Sequence, residues 1–389
     1  MQLLAKSAPK YKFLKNAAEN IAQEIASCGV ISFARFMELA LYCPDCGYYE
    51  KDKDIVGRRG DFYTSASTGS LFGELLAFQF VEWLEAEAKG DGVSISIVEA
   101  GAHDGQLAKD ILTWLRDRQK ETFAGLQYWI VEPSARRRGW QKESLAQFGQ
   151  VVRWVSQISE LETFLRSAPA IIFSNELLDA MPVRRVGWDA GEKKWFELGV
   201  AVEAGRFVWR RMAEDPGDAL RFTFHNLDLE KLRDVLPDGF VTEINSSAEK
   251  WWGEAAMILK RGKLLTIDYG LSAEEFFVPE RREGTLRAYR QHHSSSDILS
   301  NPGEQDITAS VNFSVVQRVG ETAGLKTEAL MSQAKFLTAI AEQAWRRTDL
   351  FGEWNSARTR QFQTLTHPEH LGRPFRVLVQ SSQSGDSIS

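Results

Sequence analysis

Residues 95–112, which read ISIVEAGAHDGQLAKDIL, decide the fold of this chain. The first part is a β-branched apolar run that ends on an acid, Glu99. After a loop with two glycines, apolar residues recur at helical spacing. This change of period predicts a strand that leads into a helix, the first unit of an α/β nucleotide-binding domain. Gly101 is expected to form the tight turn, and Gly105 to let the helix begin close to the strand and to a ligand.

The loop departs from the G-x-G-x-x-G pattern of dinucleotide-binding folds, because His103 stands where a second glycine is expected. Strand–glycine–helix junctions of this kind also occur in proteins that bind no nucleotide. The loop by itself therefore leaves the ligand open.

Length and composition are those of a globular enzyme. The 389 residues suit one large domain with a substantial insertion, or two domains. Hydrophobic residues make up 43% and charged residues 26%, and no apolar run approaches the roughly 18–20 residues that span a bilayer. The net charge of −6 argues against nucleic-acid binding, which favours a basic surface. We expect a soluble protein with neither a nucleic-acid partner nor membrane insertion.

The three cysteines are too few, and odd in number, for a disulfide framework, and they fit a reducing compartment. Cys43 and Cys46 form a C-x-x-C pair, but no second pair completes a zinc site, so we interpret them as a chance pairing in a loop. No metal site is predicted. Four lysines among the first 15 residues faintly resemble a transit peptide, but arginine is absent there. A cytoplasmic location is expected, and a mitochondrial one only if the source is eukaryotic.

The pattern of periods predicts an α/β fold, Rossmann-like, with a mostly parallel doubly wound sheet, an N-terminal helical region and an antiparallel insertion after the fourth strand. Predicted helices lie at 11–28, 32–42, 71–87, 311–323 and 334–347, and predicted strands at 95–99, 128–132, 151–154, 170–173, 184–188, 194–200, 206–211, 264–270 and, as an edge strand, 375–379. The expected divisions are an N-terminal helical region with a cofactor-covering connector at 1–90, a core with substrate-side helices at 91–183 and 241–380, the insertion at 184–240 and a flexible tail at 381–389.

Ligands of doubly wound sheets bind beyond the carboxyl ends of the strands. This rule brings residues 101–105, Glu132, residues 175–179 and residues 268–270 to one rim. An acid at Glu132 suits the two ribose hydroxyls of an adenine nucleoside, although a solvated strand end is the alternative. The helix start at Gly105 offers N–H groups to a carboxylate or a phosphate. Without a Walker loop, NAD and S-adenosylmethionine remain as candidates, and the fold alone does not separate them.

Several segments together resemble the MidA family of class I S-adenosylmethionine-dependent methyltransferases. The most specific is NELLDAMPV at residues 175–183. The matching segments are 33–37, 40–42, 47–49, 60–62, 64–65, 72–74, 99–107, 131–134, 175–183, 267–270, 284–289 and 302–309.

The resemblance implies S-adenosyl-L-methionine as cofactor and a protein substrate. Mitochondrial members of the family act in the assembly of respiratory complex I and methylate an arginine of one of its subunits. This chain departs from the family pattern at residues 103–104, where another glycine is usual, at 66–67, where Pro-Glu is usual, and at Ser310 and Asn312. These departures point to an altered substrate.

The expected cofactor-binding residues combine the glycine loop, the second strand end and the connector. They are Glu99, Gly101, Ala102, His103, Gly105, Glu132, Asp61, Thr64 and Ser65. Asp61 is expected to close over the cofactor, with a turn aspartate as the alternative.

Methylation of a guanidinium requires carboxylates that hold it bidentately and localise a lone pair on the attacking nitrogen. Glu176 and Asp179 are the predicted catalytic acids, and Asn175 is expected to orient the substrate or touch the cofactor. For Asp179 the alternative is a charge at a helix N-terminus. Asp306 is a weaker candidate. The function expected is an S-adenosylmethionine-dependent protein arginine methyltransferase; a small-molecule methyltransferase and a non-catalytic assembly factor remain open.

Overall fold

Helices and strands alternate through most of the chain. The computed structural model describes residues 16–51, 64–87, 95–166, 168–290, 293–369 and 371–382. The helices in these ranges are α1 (Ala17–Cys28), α2 (Phe33–Tyr42), α3 (Tyr48–Lys51), α4 (Leu71–Glu87), α5 (Gln106–Arg118), α6 (Lys120–Ala124), α7 (Ala135–Ser144), α8 (Gly217–Thr223), α9 (Leu229–Leu232), α10 (Ser246–Ile258), α11 (Phe313–Thr322), α12 (Gln333–Ala344), α13 (Thr348–Phe351) and α14 (Ser356–Thr366). The strands are β1 (Ile31–Ser32), β2 (Ile95–Ala100), β3 (Leu126–Val131), β4 (Val152–Val155), β5 (Ala170–Asn175), β6 (Arg184–Asp189), β7 (Lys194–Glu203), β8 (Arg206–Arg211), β9 (Val241–Ile244), β10 (Gly262–Leu271), β11 (Arg287–Arg290), β12 (His293–Ser295), β13 (Asp306–Thr308), β14 (Val311–Asn312), β15 (Leu325–Ser332) and β16 (Phe375–Ser382).

The central sheet has the strand order β15-β16-β10-β5-β2-β3-β4, and the short β14 pairs with β10. Strands β4, β3, β2, β5 and β10 run parallel, whereas β16 is antiparallel to both of its neighbours. All six residues of β2 are buried, as expected for a parallel strand covered on both faces. The predicted mostly parallel α/β fold is confirmed.

Helices cover both faces of this sheet, which makes it doubly wound. Ile97 of β2 packs in a cluster with α4, α5 and α12, and its neighbour Val98 packs in another cluster with α10 and α11. The alternation follows from the period of two along a strand. No helix in the described ranges is long and apolar enough to cross a bilayer.

The edge of the sheet differs from the prediction. The strand predicted as an edge at 375–379 is interior, because β16 pairs with β10 on one side and with β15 on the other. The edge belongs to β15, whose sequence LKTEALMS mixes polar and apolar residues without a clear period. Its place depends on pairing with a strand some 50 residues away, which local periodicity does not record.

The antiparallel insertion forms a second sheet with the order β1-β7-β6-β9, and β8 pairs with β7. Two of these strands come from outside the predicted range 184–240. Ile31 of β1 pairs with Val200, and Val241 of β9 pairs with Gly187. The N-terminal helices and the insertion therefore share a core.

Cys43 and Cys46 are joined as a disulfide in the turn between α2 and α3, so their interpretation as a chance pair is wrong. The Cys46 N–H donates to the Cys43 carbonyl oxygen at 3.2 Å, and this turn brings the two Cα atoms to 5.5 Å. Both cysteines are buried, and the side-chain amide of Asn20 lies 3.3 Å from the Cys46 sulfur. The disulfide holds the turn that precedes α3.

Candidate active site

A cleft of about 1030 Å³ opens at the carboxyl ends of the central strands. Its wall contains residues at or just beyond the carboxyl ends of β2, β3, β5 and β10, so the rim predicted from the topology exists. We call the loop after β2 and Glu132 the first half of the cleft lining, and residues of the segment 175–182, Tyr269 and Asp306 the second half.

The loop after β2 takes the course expected of its glycines. Gly101 and Gly105 have φ angles of +78° and +84°, which side chains rarely adopt. A Cβ atom on Gly101 would lie 2.8 Å from Leu177 Cδ1. The loop thus packs directly against the segment that carries the predicted catalytic acids. Ala102 is buried beside it and also lines the cleft.

His103 keeps the turn although it is not glycine. Its φ of +44° lies in the left-handed region, and its carbonyl oxygen accepts a hydrogen bond from Gln141 Nε2 at 2.9 Å. The imidazole Nε2 is buried without a hydrogen-bond partner among the described residues. His103 therefore presents an unused polar atom where it lines the cleft.

Glu132 is 2% exposed, so the alternative of a solvated strand end is wrong. Its Oε1 accepts hydrogen bonds from the Ser134 N–H at 2.9 Å and from Arg137 Nε at 3.0 Å. Its Oε2 accepts one, from Gln141 Nε2 at 3.2 Å, within the described part of the chain. Sequence reasoning missed Arg137, since an arginine five residues after a strand end matches no motif.

Glu99 is the last residue but one of β2 and is also buried. Its Oε2 accepts a hydrogen bond from the Tyr128 hydroxyl at 2.6 Å. Burial raises the pKa of Glu99 to about 7, against the effect of the tyrosine hydrogen bond. Glu99 thus lines the cleft as a buried acid whose pKa is near neutrality.

Glu176 follows β5 in a left-handed conformation, with φ of +52°. Its Oε1 accepts hydrogen bonds from the Ser65 N–H at 2.8 Å and from Asn175 Nδ2 at 3.1 Å. Burial, with a contribution from the charge of Asp179, raises the pKa of Glu176 to about 8. Asn175 Oδ1 is buried without a partner in the described ranges.

Asp179 is buried, and its Oδ1 has no hydrogen-bond partner among the residues that the structure describes. Burial raises the pKa of Asp179 to about 7. No helix begins at this residue, so the alternative of a helix N-terminal charge is wrong. The segment is held instead by Asp268, whose Oδ2 accepts the N–H groups of Leu177 at 3.2 Å and Leu178 at 2.9 Å.

The connector residues Thr64 and Ser65 lie at the start of a 3-10 helix, Ser65–Thr68. Thr64 lines the cleft and caps this helix, accepting the Ser67 N–H at 3.1 Å. Ser65 is fully buried, and its hydroxyl donates to Gln333 Oε1 at 3.1 Å while its N–H holds Glu176. Asp61, the third connector residue predicted, lies outside the described residues.

Tyrosines and a further acid complete the second half of the cleft. The Tyr49 hydroxyl donates to Asp306 Oδ1 at 2.7 Å, and the Tyr42 hydroxyl donates to the Ala180 carbonyl oxygen at 2.9 Å. Tyr42, Tyr49 and Asp306 lie in segments that carried the family resemblance, but no spacing rule connects them. In the described ranges no group of three or more His, Cys, Asp or Glu side chains could hold a metal ion.

Comparison with known proteins identifies the family of this chain. Residues 75–331 match the model of a family described as S-adenosyl-L-methionine-dependent methyltransferases. The chain belongs to this methyltransferase family. A protein from Burkholderia thailandensis, in a crystal structure bound to S-adenosyl-homocysteine, is 30% identical, with a TM-score of 0.79 over 94% of this chain and 91% of that one. The cofactor expected from the resemblance is confirmed, and NAD is no longer a candidate.

Curated relatives of the methyltransferase carry more specific names. The Drosophila melanogaster protein arginine methyltransferase NDUFAF7 homolog, mitochondrial, is 26% identical over 93% of this chain and 84% of its own length. The Homo sapiens protein arginine methyltransferase NDUFAF7, mitochondrial, is 26% identical over 92% and 82%. The cytoplasmic location predicted for this chain is contradicted, because these relatives are named as mitochondrial proteins.

The residues present fit the cofactor. Glu132 Oε2 accepts one hydrogen bond within the described chain, and a carboxylate oxygen accepts two, so it retains capacity for a hydroxyl donor. The buried Nε2 of His103 lacks a partner beside the loop that Gly101 opens. A cavity wall with unused acceptors and donors of this kind suits a polar, nucleoside-containing ligand.

Proposed function

We propose that the methyltransferase transfers the methyl group of S-adenosylmethionine to the guanidinium of an arginine in a protein partner. The observation that carries this proposal is the pair of unpartnered acceptors, Asp179 Oδ1 and Asn175 Oδ1, buried in the described structure. An arginine guanidinium has five N–H donors and no acceptor, so it can satisfy both. The names of the curated relatives support the same substrate class.

The negative charge of the second half of the cleft supports a cationic substrate. Glu176, Asp179 and Asp306 all line it. The raised pKa values of Glu176 and Asp179, about 8 and about 7, reflect carboxyl groups buried without a compensating cation. A bound guanidinium supplies that cation and favours ionisation of both groups.

Roles follow from these contacts. We assign Gly101, Ala102, His103 and Gly105 to the main-chain cradle of the cofactor, and Glu132 to its ribose hydroxyls. We assign Glu99 and Thr64, which also line the cleft, to the cofactor, and Ser65 to the support of Glu176. Asn175 orients the guanidinium.

The acids of the second half would hold the substrate and take its proton. Glu176, fixed by two donors, holds the guanidinium in one orientation. When bound, S-adenosylmethionine supplies an electrophilic methyl group, so that a nitrogen–carbon bond forms as the carbon–sulfur bond breaks. The attacking nitrogen then loses one proton, and Asp179 Oδ1 is the unpartnered acceptor for it. Catalysis therefore depends on alignment and on charge placement.

Two measurements test the proposal. Calorimetric titration with S-adenosyl-homocysteine should show binding, and its absence at millimolar ligand would contradict the cofactor assignment. Proteins from a strain lacking this methyltransferase should then be incubated with labelled S-adenosylmethionine and the purified enzyme, and digested for mass spectrometry. We expect label on methylarginine, and the resemblance makes a subunit of respiratory complex I the first protein to examine. Label confined to small molecules would refute a protein substrate.

A further inference from the structure

The short helix α3 contacts cleft-lining residues of different segments, Asp306 and Arg137, and lies outside the matched residues 75–331. Adjacent residues on it reach different halves. The Tyr49 hydroxyl donates to Asp306 Oδ1 at 2.7 Å. Glu50 Oε2 accepts a hydrogen bond from the Ser134 hydroxyl at 2.8 Å, in the turn that follows β3.

Glu50 supports both residues that donate to Glu132 Oε1. The first is Ser134, whose N–H donates to Glu132 at 2.9 Å and whose hydroxyl donates to Glu50. The second is Arg137, whose Nε donates to Glu132 at 3.0 Å and whose Nη2 lies 3.6 Å from Glu50 Oε1. Removal of the Glu50 charge would weaken the support of both donors, while Glu132 itself remains unchanged.

Tyr49 acts in the same manner on the substrate half. Burial and the nearby charge of Asp306 raise the pKa of Tyr49, so its hydroxyl remains a donor at every physiological pH. Its ring stacks on Tyr42, with centroids 5.6 Å apart, and the Tyr42 hydroxyl is bound to the Ala180 carbonyl oxygen. The hydrogen bond therefore fixes one oxygen of the Asp306 carboxylate from a rigid position.

We infer that Tyr49 and Glu50 are positioning residues, Tyr49 for the substrate acid Asp306 and Glu50 for the cofactor acid Glu132 through Ser134 and Arg137. The inference rests on the proposed function, which assigns Glu132 to the cofactor and the acids of the second half to a guanidinium. The segment before the matched residues is then part of the binding apparatus for both ligands. Each residue should affect one ligand only.

The test measures two affinities on the full chain by calorimetry, with S-adenosyl-homocysteine for the cofactor half and N-acetylarginine amide as a guanidinium probe. Tyr49→Phe should weaken binding of the probe about tenfold and leave S-adenosyl-homocysteine within about twofold. Glu50→Gln should weaken binding of S-adenosyl-homocysteine about tenfold and leave binding of the probe within about twofold. Lys51→Gln is the matched control, because Lys51 lies on the same helix as Tyr49 and Glu50. The substitution removes the ion pair of Lys51 with Glu304 and should change neither affinity.

Two further variants, at the partners of Glu50 and Tyr49, test the inference if Tyr49→Phe or Glu50→Gln fails to fold. Arg137→Lys removes the two contacts of Arg137 with Glu132 Oε1, from Nε and from Nη2, both at 3.0 Å, and should resemble Glu50→Gln. Asp306→Asn should resemble Tyr49→Phe. If each variant weakens the binding of both ligands, or of neither, α3 is only a structural support and the inference is wrong. If the unmodified chain binds neither ligand, the proposed function is wrong instead.

Discussion

The Asp268 carboxylate, near the end of β10, accepts the main-chain N–H of Leu178 at 2.9 Å. The same oxygen lies 3.2 Å from the Leu177 nitrogen and 3.4 Å from that of Asp179, and its partner oxygen accepts the Tyr269 N–H. One buried side chain thus determines the course of the segment that carries the predicted catalytic acids.

Replacement of Asp268 tests this support. Asp268→Ala leaves several buried N–H groups without an acceptor and should lower the free energy of unfolding by about 3 kcal/mol. Asp268→Asn keeps an acceptor oxygen and should cost about 1 kcal/mol or less. Urea denaturation compares the two variants. Equal stability of Asp268→Ala and Asp268→Asn would show that the N–H groups do not depend on this residue.

Glu176→Gln tests the assignment of the guanidinium-holding acid. The amide keeps the size and one acceptor, so binding of S-adenosyl-homocysteine should stay within about twofold, while turnover falls about a hundredfold or more through loss of charge. Glu254→Gln is the matched control, because Glu254 also lines the cleft but lies on α10 and pairs with Lys250. Unimpaired turnover by Glu176→Gln contradicts its assigned role.

The pH dependence of the reaction follows from the two raised pKa values. Glu176, with a pKa of about 8, and Asp179, with a pKa of about 7, are protonated at pH 6 and ionised at pH 9. Since the guanidinium needs carboxylates, kcat/KM should rise through this window, by about tenfold or more between its ends. Binding of N-acetylarginine amide at pH 7.5 should also release protons, visible as a binding enthalpy that depends on the buffer. A flat profile from pH 6 to 9 would refute the assignment.

The glycine loop gives a fourth prediction. Gly101→Ala forces a Cβ atom to within 2.8 Å of Leu177 Cδ1 at a φ of +78°, and should weaken S-adenosyl-homocysteine by about tenfold or more. His103→Gly suits the φ of +44° at that position and keeps the carbonyl oxygen that Gln141 binds. Its affinity should fall by about threefold at most, since only the imidazole is lost. Calorimetry distinguishes these outcomes, and a larger loss in His103→Gly would assign the imidazole itself to the cofactor.

Most of the central sheet could be predicted because its strands are continuous apolar runs that end on an acid or a polar residue. Glu99, Glu132 and Asp268 mark three such ends, and the rule that parallel strands bind ligands at their carboxyl ends brings them together. The edge strand β15 and the contribution of β1 to the inserted sheet could not be predicted. Both depend on pairing between distant segments, and neither has a period strong enough to show it.

The sequence by itself determined the fold class, the turn of the glycine loop and the place of Glu176 and Asp179 at the rim, because strand period, glycine placement and the 175–183 motif are local properties. The tertiary structure alone decided which groups support those residues. Arg137 and Glu50 support Glu132, Ser65 holds Glu176, and Tyr49 holds Asp306. These contacts join residues up to 257 positions apart. Their strength depends on burial that only the folded chain produces.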